Sequence, residues 1–374
     1  MDTRQKIEVL GQSAQYDLCG EACGTKASRV RDDLGRWIYP AVLPDGKRVK
    51  LLKILLTNAC ENDCHYCANR ASRNFRRVSF APEELARAFD QMYRKGLVQG
   101  LFLSSGVCNA ARTMDRMIAT VELVRRRYGF SGYIHLKILP GATFAHVERA
   151  VQLANRVSVN LEAPSPERLV RIAPLKDFNA HLLQPLRWAK RLIEEGKQNS
   201  VSQTTQFVVG AADETDRELL STTARLYREL GLARIYFSAF QPIVDTPLEN
   251  HPPTPPLREH RLYQSDFLLR KYGFALEDLV FDESGNLPSE ADPKLMWARA
   301  HPECFPVEIN RATREELLRV PGIGPTSASR ILKLRKKGKF RALSDLRKIG
   351  AITKRVAPFI LLDGRRPSFQ PSLW

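Results

Sequence analysis

Hydrophobic and polar positions along the chain repeat with two periods. Six short runs rich in apolar and β-branched residues read as strands: LLKILLT (51–57), GLFLSS (100–105), YIHLKIL (133–139), VSVNL (157–161), TTQFVVG (204–210) and RIYFSAF (234–240). Amphipathic segments follow them, such as PEELARAFDQMYRKG after the first run and DRELLSTTARLYRELG after the fifth. Six strand-helix units in series predict an α/β fold with a parallel sheet and helical crossovers, closing as a partial (β/α)6 barrel. An open doubly wound sheet is the alternative.

Alternation within the strands carries more information. Tyr133, His135 and Lys137 share one face of the third run, opposite Ile134, Leu136 and Ile138, and Ser158, Asn160 and Glu162 oppose Val157, Val159 and Leu161. Parallel strands buried on both sides should be apolar on both faces. Polar residues on one face of successive strands therefore predict a bore lined with hydrogen-bonding groups, into which His135 and Lys137 would point; edge strands with one wet side are the other explanation.

After a proline-rich stretch, QPIVDTPLENHPPTPPLREH, the pattern turns helical. INRATREELLRVPGIGPTSASRILKLRKKGKF reads as a helix, a tight turn at Val320-Pro321-Gly322-Ile323-Gly324 and a second helix begun by Pro325. Thr313 and Glu316 have the spacing of a capping box, and Ile331 and Leu334 are placed to pack on Leu317 and Leu318. A weaker copy runs from Leu343 to Ile360. The expected organisation is an N-terminal extension (1–49), a barrel (50–275), a linker (276–303) and a small all-α domain (304–374).

Charge sharpens this division. The chain of 374 residues carries a net charge of +17, and from Phe305 to Trp374 there are 16 Lys and Arg against 5 Asp and Glu. That concentration predicts a polyanionic partner, most simply nucleic acid, over a merely solvated basic face. The densest apolar run, Val49 to Leu56, is interrupted by Lys50 and Lys53 and is too short to cross a membrane. The opening MDTRQKIEVLGQ lacks the apolar core of a signal peptide, so a cytoplasmic protein without a membrane partner is expected.

Seven cysteines are present, and three of them, Cys60, Cys64 and Cys67, fall in TNACENDCHYCANR just past the first strand. In an α/β barrel that is the mouth where chemistry gathers. A C-x3-C-x2-C loop supplies three thiolates, enough for three irons of a cubic 4Fe-4S cluster with the fourth left open. Zinc is the rival, but a structural site needs a fourth ligand, and no later Cys-His pair supplies one. Cys19, Cys23, Cys108 and Cys304 are candidates for a second metal site.

This loop, with Tyr66 before its last cysteine, resembles the signature of the radical S-adenosylmethionine (SAM) superfamily. The resemblance implies the partial (β/α)6 barrel, a 4Fe-4S cluster on Cys60, Cys64 and Cys67, and S-adenosyl-L-methionine cleaved by one electron to a 5′-deoxyadenosyl radical. It implies cofactor-binding roles for Tyr66, for Ser104, Ser105 and Gly106 where many members carry Gly-Gly-Glu, for Asn160 and Glu162 near the ribose, and for Gly210 near adenine. The acidic residue of that motif is missing here. LLKILLTNAC, GLFLSSG, GYIHLK, VSVNLEAP and TTQFVVGA further resemble a narrower group described as DNA modification or repair radical SAM proteins. Membership there implies DNA as substrate, a uracil-DNA-glycosylase-like partner, and an electron donor such as flavodoxin or ferredoxin. An RNA-modifying radical SAM enzyme and a non-catalytic iron-sulfur DNA-binding protein are the alternatives.

The C-terminal segment resembles the helix-hairpin-helix motif, whose turn binds a phosphate oxygen through backbone N–H groups. That resemblance points to Gly322, Ile323 and Gly324 as backbone contacts and to Arg330, Lys333, Lys336 and Lys337 as cationic support for DNA or RNA. Protein contacts are the other use of such units.

Overall fold

Apolar alternation and helical periodicity translate into a sheet wrapped on its outside by helices in the computed structural model, which describes residues 1–14, 38–42, 48–196 and 201–368. Helix α1 (Thr3–Ser13) precedes a seven-stranded sheet of β1 (Ile38–Val42), β2 (Arg48–Leu55), β3 (Gly100–Ser104), β4 (Tyr133–Lys137), β5 (Arg156–Ser158), β6 (Ser202–Val209) and β7 (Arg234–Ala239), arranged in sequence order. Helices α2 (Pro82–Arg94), α3 (Ala110–Glu122), α4 (Phe144–Leu153), α5 (Pro166–Ile172), α6 (Gln184–Glu195) and α7 (Asp216–Leu230) form the crossovers. Strands β2 to β7 are parallel and make the curled half-barrel expected of six strand-helix units. Strand β1 is an addition: it pairs antiparallel with β2 inside what reads as an N-terminal extension, because IYPAV holds a proline and has no alternation that marks an edge strand.

Register explains the bore. Lys53 pairs with Phe102, Phe102 with His135 and His135 with Arg156, so the four side chains stand side by side on one face of β2 to β5. All are buried, as are Ser158, Asn160 and Gln206 on the same face. Ile54, Leu101, Leu103, Ile134, Leu136 and Val157, on the opposite face, form the apolar layer.

The chain divides into two compact units, residues 1–214 with 225–259, and residues 215–224 with 260–374. Helix α8 (Pro256–Lys271) begins in the first and ends in the second. The second unit continues with α9 (Pro293–Ala300), β8 (Val307–Glu308), α10 (Arg314–Arg319), α11 (Pro325–Leu334), α12 (Leu343–Lys348), α13 (Thr353–Val356) and β9 (Ile360–Leu361). A two-residue parallel pair, β8 with β9, joins the ends of the helical module. The capping box is formed as expected: Thr313 Oγ1 accepts from the Glu316 N–H at 3.2 Å, and Glu316 Oε2 accepts from the Thr313 N–H at 2.6 Å.

Gly322 and Gly350 both adopt a φ of +88°, one in each copy of the hairpin, which bears out the internal repeat. A Cβ at Gly322 would lie 2.8 Å from the Ile352 carbonyl, so the first turn is docked on the second copy. Leu317, Leu318, Ile323, Ile331, Leu346 and Val356 share the core. One expectation is corrected: Leu334 is 40% exposed, because α11 ends there and its side chain has left the buried face.

Candidate functional site

Beyond β2 the chain enters the cysteine loop, an irregular segment whose backbone groups must be satisfied individually. Thr57 Oγ1 donates to the Val78 carbonyl at 2.8 Å, and Asn58 Oδ1 accepts from the Val78 N–H at 2.7 Å. Asp63 accepts from Arg70 Nε at 2.7 Å, from Ser72 Oγ at 2.8 Å and from the Ser72 N–H at 3.1 Å. The Arg70 guanidinium holds the Asp63 carboxyl well below the usual carboxylate range.

Arg77 ties this loop together, and no motif marks it in the sequence. Its guanidinium donates to the carbonyls of Asn58 and Asn69 at 2.8 Å, Arg70 at 2.5 Å, Arg73 at 3.1 Å and Ala71 at 3.3 Å, and lies 3.8 Å from the Phe75 ring centroid. Arg77→Met keeps the length and removes every donor. It is expected to weaken metal loading by about 10-fold or more, as loss of ligand-orienting partners does, read by iron and sulfide content after anaerobic reconstitution. Wild-type iron content would mean that the loop holds its shape without Arg77.

Cys64 is buried, and Cys60 and Cys67 are half-buried. Backbone N–H groups of Val107 and Asn69 donate to Cys60 Sγ and Cys67 Sγ, each at 3.4 Å. Burial, with Cys64 adding to it, pushes the Cys67 thiol up to about 12, so a bound metal has to displace its proton. Among the described residues no three His, Cys, Asp or Glu side chains close around a single-ion position; the three thiols instead line one cavity of about 450 Å³.

Tyr66, Ser104, Ser105, Gly106, Asn160 and Glu162 line that same cavity, and Lys137 does too. Gly210 lies outside this lining: its N–H donates to Glu214 Oε1 at 2.5 Å, and a Cβ there would meet Thr254 Oγ1 at 2.1 Å. Gly106 is required by contact alone, since a Cβ would lie 2.1 Å from the Ala59 carbonyl of the cysteine loop. Glu162 has a φ of +65°, a left-handed conformation that costs a non-glycine residue energy and gathers at functional sites. Its carboxylate accepts from Lys176 Nζ at 3.1 Å, with both side chains 8% exposed. Burial, then the Glu162 charge, pushes the Tyr66 phenol well up. Lys176 had no sequence signal; it follows α5 in an ordinary turn.

The donors present suit a cluster and its ligand. Three sulfurs face one chamber, and the Ser105 hydroxyl is buried there without a hydrogen-bond partner. Of the further cysteines, Cys108 and Cys304 are exposed and free, whereas Cys19 and Cys23 lie outside the described residues.

In the second unit Lys333, Lys336 and Lys337 are exposed on or just past α11. Arg330 is exposed as well, but one guanidinium nitrogen donates to the Ile349 carbonyl at 3.0 Å. The Ile323 side chain is in the core, so the turn presents backbone. Its carbonyl accepts from Lys294 Nζ at 2.6 Å, and burial, with Arg319 nearby, holds the Lys294 ammonium down at about 7. A basic group whose folded value lies below its free value binds fewer protons folded than unfolded. Stability of this unit should therefore rise with pH between 7 and 10.5. Thermal melts across that window should show the rise, and Lys294→Met should flatten it; an equal slope in the variant would contradict it.

Residues 54–226 match the model of the radical SAM superfamily, and residues 305–357 match that of the helix-hairpin-helix motif. A tRNA-2-methylthio-N(6)-dimethylallyladenosine synthase from Lachnoclostridium phytofermentans is 23% identical over 206 residues, 52% of this chain and 43% of that protein, so the chain spans less than half of this relative's length. Two solved structures are similar: the FeFe-hydrogenase maturase HydG (14% identity, TM-score 0.47, 57% of this chain and 48% of that one) and methylornithine synthase PylB (17% identity, TM-score 0.47, 58% and 60%). The superfamily's cofactors are a 4Fe-4S cluster and S-adenosylmethionine, the pair that the cysteine spacing and its cavity suit. The chain thus carries a radical SAM domain followed by a C-terminal helix-hairpin-helix domain.

Proposed function

We propose that this protein is a radical SAM enzyme that modifies or repairs nucleic acid, DNA before RNA. The observation that carries the catalytic half is the convergence of Cys60, Cys64, Cys67, Ser105, Asn160 and Glu162 on one cavity at the mouth of a barrel. The nucleic-acid half rests on the helix-hairpin-helix module and its excess of 16 basic over 5 acidic residues.

When bound, the cluster and S-adenosylmethionine supply a 5′-deoxyadenosyl radical that abstracts hydrogen from the substrate. Cys60, Cys64 and Cys67 would hold the cluster. Ser105 would offer a hydroxyl to the methionine amino group where other members use a carboxylate, and Asn160 and Glu162 would offer polar groups to the sugar. Lys176 pairs with Glu162 and sets a positive charge beside the cysteines. The barrel walls exclude water from the reacting centre. A base stacked in a duplex is out of reach of such a chamber, so the substrate nucleotide is extruded or unpaired. A uracil-DNA-glycosylase-like partner, flavodoxin or ferredoxin as electron source, and a cytoplasmic location belong to the same reading; no helix among the described residues is long and apolar enough to cross a membrane.

RNA is the second reading, favoured by the tRNA-modifying relative. Reconstituted protein given S-adenosylmethionine and reductant, with duplex DNA, single-stranded DNA or RNA in separate arms, tests the choice. Stimulation of 5′-deoxyadenosine release by DNA above RNA is expected; stimulation by RNA alone assigns the second reading, and stimulation by neither removes both.

A further inference from the structure

Behind the hairpin turn of the second unit stands a buried ammonium that no carboxylate answers. Lys294, on α9, precedes the residues that match the helix-hairpin-helix motif. It is 7% exposed, and its Nζ donates to the Ile323 carbonyl at 2.6 Å and lies 4.7 Å from the Tyr272 ring centroid. The charged groups of the neighbouring elements are engaged with one another. Arg319, on α10, donates to Asp278 Oδ2 at 3.0 Å, and Arg355, on α13, is paired with Asp292 at the start of α9. Tyr272, on α8, is the other titratable group in contact; burial pushes its phenol up, so it supplies no negative charge near neutral pH. Among the described residues Lys294 has no acidic partner.

The carbonyl that Lys294 holds is one end of a peptide group whose other end is the Gly324 N–H. In a trans peptide the two ends point in opposite directions, so the ammonium sits on the inner side of the turn and the N–H faces away from it. The N–H groups of Gly322 and Gly324 have no partner among the described residues, and α11 begins without a side-chain cap. Charge on a carbonyl oxygen polarises the whole peptide group and strengthens the donor at its far end. A buried cation without a counter-ion is costly, and an anion on the open N–H groups would relieve it.

We infer that Lys294 is a positioning residue for phosphate at this turn: its ammonium holds and polarises the Ile323–Gly324 peptide from behind, and nucleic-acid binding is coupled to the uptake of its proton. The identity of the anion as a nucleic-acid phosphate rests on the proposed function. Burial, and then Arg319, holds the Lys294 ammonium down at about 7 in the free protein. A phosphate on the turn offsets that positive charge and raises the value. Affinity is therefore highest below about pH 7 and declines as pH rises from there towards the raised value of the complex. Each pH unit by which binding raises the value is worth about tenfold in affinity.

The test follows binding of a fluorescent DNA duplex to the full chain by anisotropy, with an RNA in a parallel arm, at one low salt concentration from about pH 6 to about pH 9. Wild-type affinity should fall about tenfold across that range. Lys294→Met should bind about tenfold more weakly at the acid end, match wild type at the alkaline end and lose the decline between them. Lys294→Arg, which stays charged throughout, should keep the tight binding to the alkaline end. Weaker binding in Lys294→Met with the wild-type decline retained would mark a merely structural role and overturn the inference, as would the same decline in all three proteins; either leaves the proposed function standing. Absence of binding to DNA and RNA at every pH removes both. Should the variants fail to fold, calorimetry of wild type in two buffers of different ionisation enthalpy at about pH 8, where ordinary imidazoles are neutral, decides: proton uptake on binding supports the coupling, and none refutes it.

Discussion

Cys64→Ala is expected to lower 5′-deoxyadenosine formation by about a thousandfold or more, with loss of the iron-sulfur signal after anaerobic reconstitution. A cubic cluster held by three thiolates has no spare protein ligand, and Cys64 is the most deeply placed of the three, 6% exposed. Burial pushes its thiol up, and the Lys176 charge beside it works against that rise. Cys108→Ala, which removes an exposed thiol after the Ser-Ser-Gly turn, should keep the cluster and the cleavage. Iron and sulfide analysis, electron paramagnetic resonance and product quantification check both. Retention of more than a tenth of wild-type cleavage in Cys64→Ala, or equal losses in the two variants, would detach the chemistry from the triad.

Replacing Lys333, Lys336 and Lys337 together by Gln should weaken nucleic-acid binding by about 10- to 100-fold at low salt and make the dependence of log K on log salt shallower by roughly 2 to 3. Each lysine is exposed on or just past α11, the helix that follows the hairpin turn. Contacts to phosphate carry no sequence information, so the loss should be the same for unrelated duplexes. Arg330 is left in place because its bond to the Ile349 carbonyl joins the two hairpins, and its loss would mix folding with binding. Fluorescence anisotropy across a salt series provides the measurement; an unchanged slope would show that the module grips something other than a polyanion.

What the sequence disclosed depended on whether a local pattern carried the information. The six parallel strands announced themselves by alternation, and that alternation also placed His135 and Lys137 in a polar bore, because side-chain direction in a strand follows directly from parity. The cysteine triad and the Thr313–Glu316 capping box are fixed-spacing devices and equally legible. Strand β1 was not, since pairing with β2, and not any period of its own, makes it a strand. Arg77 and Lys176 escaped for a related reason: each acts on groups brought near by the fold, five loop carbonyls in one case and Glu162 in the other. Leu334 was misplaced because it is the last residue of α11, where periodicity alone does not show that the packed layer has ended. Lys53 and Arg156 look unremarkable in their own strands, and only the register of β2 through β5 sets them on one face with Phe102 and His135.

Isotope transfer from nucleic acid to cofactor tests most directly whether the radical SAM site and the helix-hairpin-helix module serve one reaction. Reconstituted protein would be given S-adenosylmethionine, reductant and uniformly deuterated cellular DNA or RNA, and the 5′-deoxyadenosine analysed by mass spectrometry. The expected result is deuterium in the 5′-deoxyadenosine formed with DNA; unlabelled 5′-deoxyadenosine with both nucleic acids would contradict the assignment of nucleic acid as the molecule that the radical meets.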